Sequence, residues 1–491
     1  MPGAQEYQLL APEILLAAAG LLLLLGGAIG RGMGNRESAL VSIVSLALTA
    51  GLVLRVQHVV ETAKAHHAFP DPPLILGGSF MLDGFSFFWK LLVLVATALV
   101  VLLSIRFLDE GGYRASDYYA LLLLATSGML FMASGYTLLT IWISLETMAL
   151  ASYILAGYFK REVRSNEAAL KYFILGALSS GILLYGISLL YGATGTVQLA
   201  ALSEGLRNAQ GNPLVPLGWL LLAAGLFFKV AAVPFHIWTP DVYVGAPTPV
   251  TAWLAVASKA ASFAILLRIF YEGLGSVRVE WQTVVAVISA ATMIWGNLAA
   301  LTQDNVKRLL AYSSIAHAGY VLIGVLAVSE VGLWSVLFYL LAYTFITLGA
   351  FGTVILLERR EYAGETCADY AGLARRSPFL AGMMLLFMLA LTGIPPTGGF
   401  VGKFYLFAAA VQGRWAWLAV IGVLTSAISL YYYFRIVFYM YMSDSDQTTP
   451  VPLRAPALVG VIAFCALATV ALGVYPGPFI DFAKRSLLPL P

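Results

Sequence analysis

The chain has 491 residues, of which 60% are hydrophobic and 11% charged, and its mean hydropathy is +0.86. That balance excludes a soluble domain of this length. The formal net charge of +3 comes without a basic patch interleaved with aromatics outside the apolar runs, which argues against nucleic-acid binding.

Runs of about 20 apolar residues match a hydrocarbon core roughly 30 Å thick. About fourteen such runs begin near Leu9, Ala39, Phe85, Tyr118, Leu138, Ala168, Leu217, Pro249, Gln282, Val306, Leu333, Phe379, Ala416 and Pro456. The chain is therefore expected to be an all-α polytopic membrane protein. Basic residues such as Arg31, Lys160, Arg161, Lys307, Arg308 and Arg454 concentrate in alternate loops. The positive-inside rule then places both chain ends outside. The start lacks a basic stretch and a small-residue cleavage site, so the first run is expected to be a retained helix.

The first three helices read as scaffold. Lys90 lies within snorkelling reach of an interface. The loop after the second helix carries His58, His66 and His67, but Pro70, Pro72 and Pro73 make it extended, and no carboxylate is spaced to complete a metal site. Cys367 and Cys465 are too far apart to suggest a disulfide framework, and no CxxC, P-loop or GxGxxG after a strand is present. Nothing here suggests that the chain holds a flavin, an iron–sulfur cluster or a nucleotide.

The fifth helix, TLLTIWISLETMALASYILAGY, contains Glu146, the one carboxylate that cannot be assigned to a loop or a helix end. A lone carboxylate in hydrocarbon takes up a proton or finds a cation. One reading is a structural ion pair; the other is that Glu146 tunes a lysine, with Lys229 the first choice. Lys171, about one turn inside the sixth helix, reads equally well as an anchor or a pathway member.

Residues 227–260, FFKVAAVPFHIWTPDVYVGAPTPVTAWLAVASKA, put Lys229 and Lys259 in two successive apolar helices, with four prolines and an expected Trp-Thr-Pro-Asp hairpin between them. At 1.5 Å per residue, Lys229 lies roughly 18 Å and Lys259 roughly 15 Å along their helices, near the midplane. An amine there costs roughly 2.5–3.5 kcal/mol on insertion scales, so it is a functional candidate by default. Pro234 removes a backbone donor and frees carbonyls that protein, water or a polar cavity must satisfy. His236 follows the break, either as a proton relay or as a cap on those carbonyls.

The tenth helix opens DNVKRLLAYSSIAHAGYVLIG. Lys307 and Arg308 read as topology anchors, whereas His317, with Ser313 and Ser314 one turn before it, marks a polar interior. The twelfth helix is interrupted by Gly-Ile-Pro-Pro-Thr-Gly-Gly, after which comes Lys403. Two proline-broken helices, each with a buried lysine, suggest repeated five-helix units of inverted topology. Lysine precedes the proline in one and follows it in the other, so the breaks are not expected to superpose. Tyr431 to Tyr433 read as an interfacial belt.

SLETMALASYIL, FFKVAAVPFHIWTPDVYVGAPTPV, the Ser-Lys-Ala at 258–260, DNVKRLLAYSSIAHAGY and IPPTGGFVGKFYLF together resemble the antiporter-like membrane subunits of proton-pumping NADH–quinone oxidoreductase, respiratory complex I. The likeness is strongest over about residues 118–439. It implies fourteen helices, with helices 4–8 (116–272) and 9–13 (273–445) as inverted repeats between scaffold helices in 1–115 and a last helix in 446–491. It implies Glu146 and Lys229 as a coupled pair, Lys259 as the central link and Lys403 as the output group. Lys171, His236 and His317 are further relay candidates.

Related subunits of the same complex tend to carry a glutamate where this chain has Lys403. The resemblance also implies no cofactor in this chain, FMN, iron–sulfur clusters and quinone in partner subunits, and a bacterial inner membrane around the whole. Subunits of multi-component cation/proton antiporters are similar and form the alternative. Sodium transport calls for more hard oxygen ligands than the single Glu146 supplies.

Overall fold

The computed structural model describes residues 4–29, 33–65, 73–358, 364–444 and 455–490. His66, His67, Pro70, Pro72, Arg31 and Arg454 lie outside the described residues.

Twelve helices among the described residues are long and apolar enough to cross a membrane. They are α1 (Ala11–Ile29), α2 (Asn35–Ala65), α3 (Gly84–Gly111), α4 (Ala115–Ser134), α5 (Leu138–Ala156) and α6 (Val163–Thr194), then α8 (Thr248–Gly273), α9 (Arg278–Leu301), α10 (Val306–Ala327), α11 (Glu330–Leu357), α13 (Ala416–Met442) and α14 (Pro456–Val474). The seventh and twelfth expected spans begin as shorter apolar helices, α7 (Leu214–Val230) and α12 (Pro378–Thr392). Each is interrupted and followed by a second helix, α7b (Trp238–Gly245) and α12b (Gly398–Gln412). The expected Trp-Thr-Pro-Asp hairpin is thus the first turn of α7b, where Pro240 needs no amide hydrogen bond.

Helix starts follow side-chain caps. Asp83 and Ser86 form a reciprocal capping box at α3, and Thr137, Asn305, Ser329 and Thr397 accept from the first turns of α5, α10, α11 and α12b. Propensity alone would not hold these helices in place; burial does. The most enclosed are α8, α10 and α11, while α1 and α2 lie at the edge with most of their surface exposed. The lysine-bearing α8 is therefore the axis of the bundle.

Ion pairs at two buried bases, Lys90 and Arg268, were not anticipated. Lys90 does not snorkel to an interface: it is buried, and its Nζ lies 2.5 Å from Oε1 of Glu13, which is fully buried in the first turn of α1. Glu13 is brought there by α1, which packs on α4 and α2, while α2 packs on α3. At the far end of α8, buried Arg268 pairs with Asp83 at 2.9 Å and Glu272 at 3.0 Å, fastening that end of the axis to the N-cap of α3. Glu146 is thus not the only acid inside the bundle.

Candidate functional site

The site begins where α7 breaks. Ala231 adopts a left-handed backbone, φ 62°, and ends α7 by returning its amide to Phe228 and Phe227. The amide of Val233 donates to the Thr292 hydroxyl on α9 at 3.0 Å. The indole of Trp238, the first residue of α7b, also donates to the carbonyl of Phe228 at 3.0 Å. Trp238 thus caps the Phe228 carbonyl, while the ring of His236 interacts with the backbone of Pro234 at the break. His236 packs against Trp295 of α9, ring centres 6.2 Å apart, and its Nδ1 is buried without a hydrogen-bond partner.

Lys229 sits at the end of α7, buried, with its Nζ 3.4 Å from the hydroxyl of Tyr153 and over the Tyr153 and Phe228 rings. No carboxylate lies within 4.0 Å of it among the described residues. Glu146 and Lys229 are not an ion pair in this structure. The contact to Lys229 comes instead from Tyr153, two turns beyond Glu146 on the same side of α5. Oε1 of Glu146 is buried and has no hydrogen-bond partner. Sequence reasoning passed over Tyr153. The signal was the i, i+7 spacing from Glu146.

Lys171 is placed at the surface end of α6. It bridges Glu167 and Asp241, each at 2.7 Å, and Asp241 also takes Arg308 at 3.1 Å. Lys307 is buried, and its Nζ donates to the carbonyl of Ala246 just past α7b at 3.1 Å. Lys307 and Arg308 are thus more than topology anchors. Together with Lys171 they clamp the short helix α7b, through a carboxylate in its first turn and the carbonyls at its C-terminus.

Lys259 follows a π-helical turn, Leu254–Ser258, in α8. Such turns insert one extra residue and occur often at functional sites. Its Nζ reaches α10 and donates to the carbonyl and hydroxyl of Ser314 at 2.7 and 2.5 Å. The preceding Ser258 touches Met148 of α5 at 3.5 Å. The helix that carries Glu146 therefore contacts Lys229 through Tyr153 and the neighbour of Lys259 through Met148.

From Ser314 the polar residues continue. Ser313 meets the hydroxyl of Tyr433 at 2.5 Å, the same hydroxyl lies 3.1 Å from Nε2 of His317, and Nδ1 of His317 is hydrogen-bonded to the hydroxyl of Tyr339. Tyr432 accepts no belt role either: its hydroxyl donates to Asn297 at 3.0 Å. Of the three tyrosines only Tyr431 is exposed, so Tyr432 and Tyr433 are corrected from interfacial belt to buried polar core. Helical geometry explains the split: the three consecutive residues lie about 100° apart around α13, and one must point away from the bundle.

The ring of His317 packs edge-on against Tyr320, and the amine of Lys403 lies 4.8 Å from the centre of that Tyr320 ring. Lys403 is buried on α12b and closes the end of α12, donating to the carbonyls of Leu391 and Thr392 at 2.8 and 2.9 Å and to the Ser426 hydroxyl at 2.8 Å. A cation at a helix C-terminus meets the negative end of the helix dipole. Gly399 permits this approach, since a Cβ there would overlap the carbonyl of Ala390.

The two breaks are built alike. Gly393, φ 91°, ends α12 as Ala231 ends α7, and Pro396 follows it at the same spacing as Pro234 follows Ala231. The lysine lies before the break in α7 and after it in α12b, and the second helix resumes at Trp238 in one and Gly398 in the other.

Buried amines on interrupted helices, joined by hydroxyls and an imidazole inside an all-α bundle, define the class of antiporter-type membrane subunits. Residues 135–429 match the family described as NADH:quinone oxidoreductase/Mrp antiporter, TM, and the chain belongs to that family. It is 44% identical over 478 residues to NADH-quinone oxidoreductase subunit N 2 of Rhizobium meliloti (strain 1021), covering 97% of this chain and 96% of that protein. It is 46% identical over 412 residues to NADH-quinone oxidoreductase subunit N 2 of Solibacter usitatus (strain Ellin6076), 84% of each.

Among solved structures, it is similar to a chain of respiratory complex I from Thermus thermophilus with bound aureothin, at 34% identity and a TM-score of 0.79, over 96% of this chain and 99% of that one. A chain of the Mrp complex from Dietzia sp. DQ12-45-1b shares the fold at a TM-score of 0.84, with 23% identity over 99% and 97% of the two chains.

Proposed function

We propose that this chain is a proton-translocating membrane subunit of an NADH–quinone oxidoreductase in a bacterial inner membrane, with both termini outside. In this reading it holds no redox group. FMN, iron–sulfur clusters and quinone belong to partner subunits, and electron transfer there drives the protons here. Subunit N relatives at 44% and 46% identity support the assignment to this complex. The likeness to the Mrp chain, at 23% identity, speaks for the fold alone and gives the cation/proton antiporter alternative no further support.

The observation that carries the proton role is the run from Lys259 through Ser314, Ser313, Tyr433 and His317 to Tyr320 and Lys403, in which Lys259–Ser314, Ser313–Tyr433 and Tyr433–His317 are hydrogen-bonded and water carries the proton across the remaining contacts. Protons enter at Lys229, cross to Lys259, pass along this run and leave from Lys403. Lys171 and His236 flank the entry rather than the run. The matching breaks in α7 and α12 support the two units, 116–272 and 273–445, as inverted repeats.

Glu146 controls the entry. A carboxylate favours the charged form of a nearby amine, and each unit of pKa is worth about 1.4 kcal/mol. A shift of α5 that moves the unpaired Glu146 relative to Lys229 therefore changes how tightly Lys229 holds its proton. Membrane vesicles with a fully assembled Lys229→Ala complex test this: NADH-driven proton uptake is lost, whereas a scaffolding role leaves it intact and alters only assembly. Co-purification with flavin and iron–sulfur proteins separates the oxidoreductase from an antiporter.

A further inference from the structure

A cleft of about 750 Å³ opens between α2, α3 and α14, on the face where α2 and α14 begin and α3 ends, well apart from the lysine run. Its two walls mirror each other. On α2, Arg36, Leu40 and Ile43 follow i, i+4, i+7 spacing, and on antiparallel α3 so do Leu102, Arg106 and Asp109. Charged groups therefore sit at the mouth, and apolar side chains line the deeper part, roughly 10 Å further into the membrane by helical rise.

The mouth carries both signs, Arg36 and Arg106 beside Asp109 and Glu110. Asp109 is engaged by the Asn35 amide at 2.7 Å, and Nε of Arg106 by Glu110 at 2.7 Å. That leaves Nη1 of Arg106 buried with no hydrogen-bond partner, and Arg36 exposed with no carboxylate within 4.0 Å among the described residues. The third wall is the start of α14, which has no side-chain cap, so the amides of Ala457 and Leu458 lack helical acceptors. Two guanidinium groups and an uncapped helix N-terminus line the mouth beside two carboxylates, a set that suits a zwitterionic headgroup above an apolar groove.

We propose that this cleft binds a membrane phospholipid, its phosphodiester held by Arg36, Arg106 and the first amides of α14, and an acyl chain laid along Leu40, Ile43 and Leu102. The phosphate supplies an acceptor for the exposed Arg36, and the chain covers exposed apolar surface. The lipid thereby fastens α14 to the pair α2 and α3.

The test uses the assembled complex in vesicles of phosphatidylethanolamine and phosphatidylglycerol containing a small share of phosphatidylethanolamine with a photoreactive acyl chain. Cross-linked peptides are mapped, and phospholipid retained after detergent washing is measured by mass spectrometry. The expected result is cross-linking within residues 36–43 or 102–106 and loss of a retained phospholipid in Arg36→Gln/Arg106→Gln, with added inorganic phosphate unable to displace it. Leu40→Trp, which narrows the groove and leaves both arginines, is expected to lose the same lipid. Equal retention in both variants, displacement by inorganic phosphate, or an ordered protein helix filling the cleft overturns the proposal.

Discussion

Gly176 of α6 and Tyr153 of α5 are matched: a Cβ at Gly176 would overlap the Tyr153 hydroxyl, the group that touches the amine of Lys229. Gly176→Ala is therefore expected to push Tyr153 off Lys229. Overpacking of this kind costs about 1–3 kcal/mol. Adding Tyr153→Leu removes the ring whose oxygen and two outer carbons would meet that Cβ. The double variant should then regain assembly, but not the rate of NADH-driven proton uptake followed by a pH-sensitive dye. Full uptake in both variants contradicts a role for that hydroxyl.

Ser314 holds Lys259 by both its carbonyl and its hydroxyl. Ser314→Ala keeps the first and deletes the second. Hydrogen bonds to charged groups contribute about 1.5–3 kcal/mol, so proton transport should slow roughly tenfold or more. Ser314→Thr, which restores the hydroxyl, should recover most of the rate. A merely structural serine would show no such rescue.

The tyrosines of α13 give a paired comparison. Tyr433→Phe removes a hydroxyl shared by Ser313 and His317, whereas Tyr431→Phe changes an exposed side chain. Proton uptake per NADH oxidised is expected to fall in the first and to stay at the parental value in the second. Equal values in the two variants would remove Tyr433 from the path.

Lys90 and Glu13 are expected to matter for stability alone. Deleting one partner of a buried ion pair costs about 3–5 kcal/mol, while replacing both with apolar residues is often neutral. Lys90→Met should lower the yield of assembled complex, and Lys90→Met with Glu13→Leu should restore it, with proton uptake unchanged per assembled complex. If the double variant assembles but fails to pump, the pair belongs to the path.

The membrane class and the apolar helices were legible because hydrocarbon thickness sets a length that composition displays directly. Lys229, Lys259 and Lys403 stood out because an amine is rare in such runs. The partners of those amines were not legible. Tyr153, Ser314 and the carbonyls of Leu391 and Thr392 come from other helices or from a backbone break, and an apolar sequence carries little record of which helix faces which. Lys90 was misread for the same reason: its distance from a helix end suggested escape to water, and only the structure sets Glu13 of another helix beside it.

The most direct test is the proton yield of a fully assembled complex carrying Lys259→Met, reconstituted in sealed vesicles and driven by NADH. Lys259 is the group that joins the α5 side of the bundle to the Ser314–His317 run. Loss of proton uptake with assembly and the partner subunits' redox groups intact is the result expected here. Uptake at the parental rate and the parental yield per NADH would show that the buried amines are not the route.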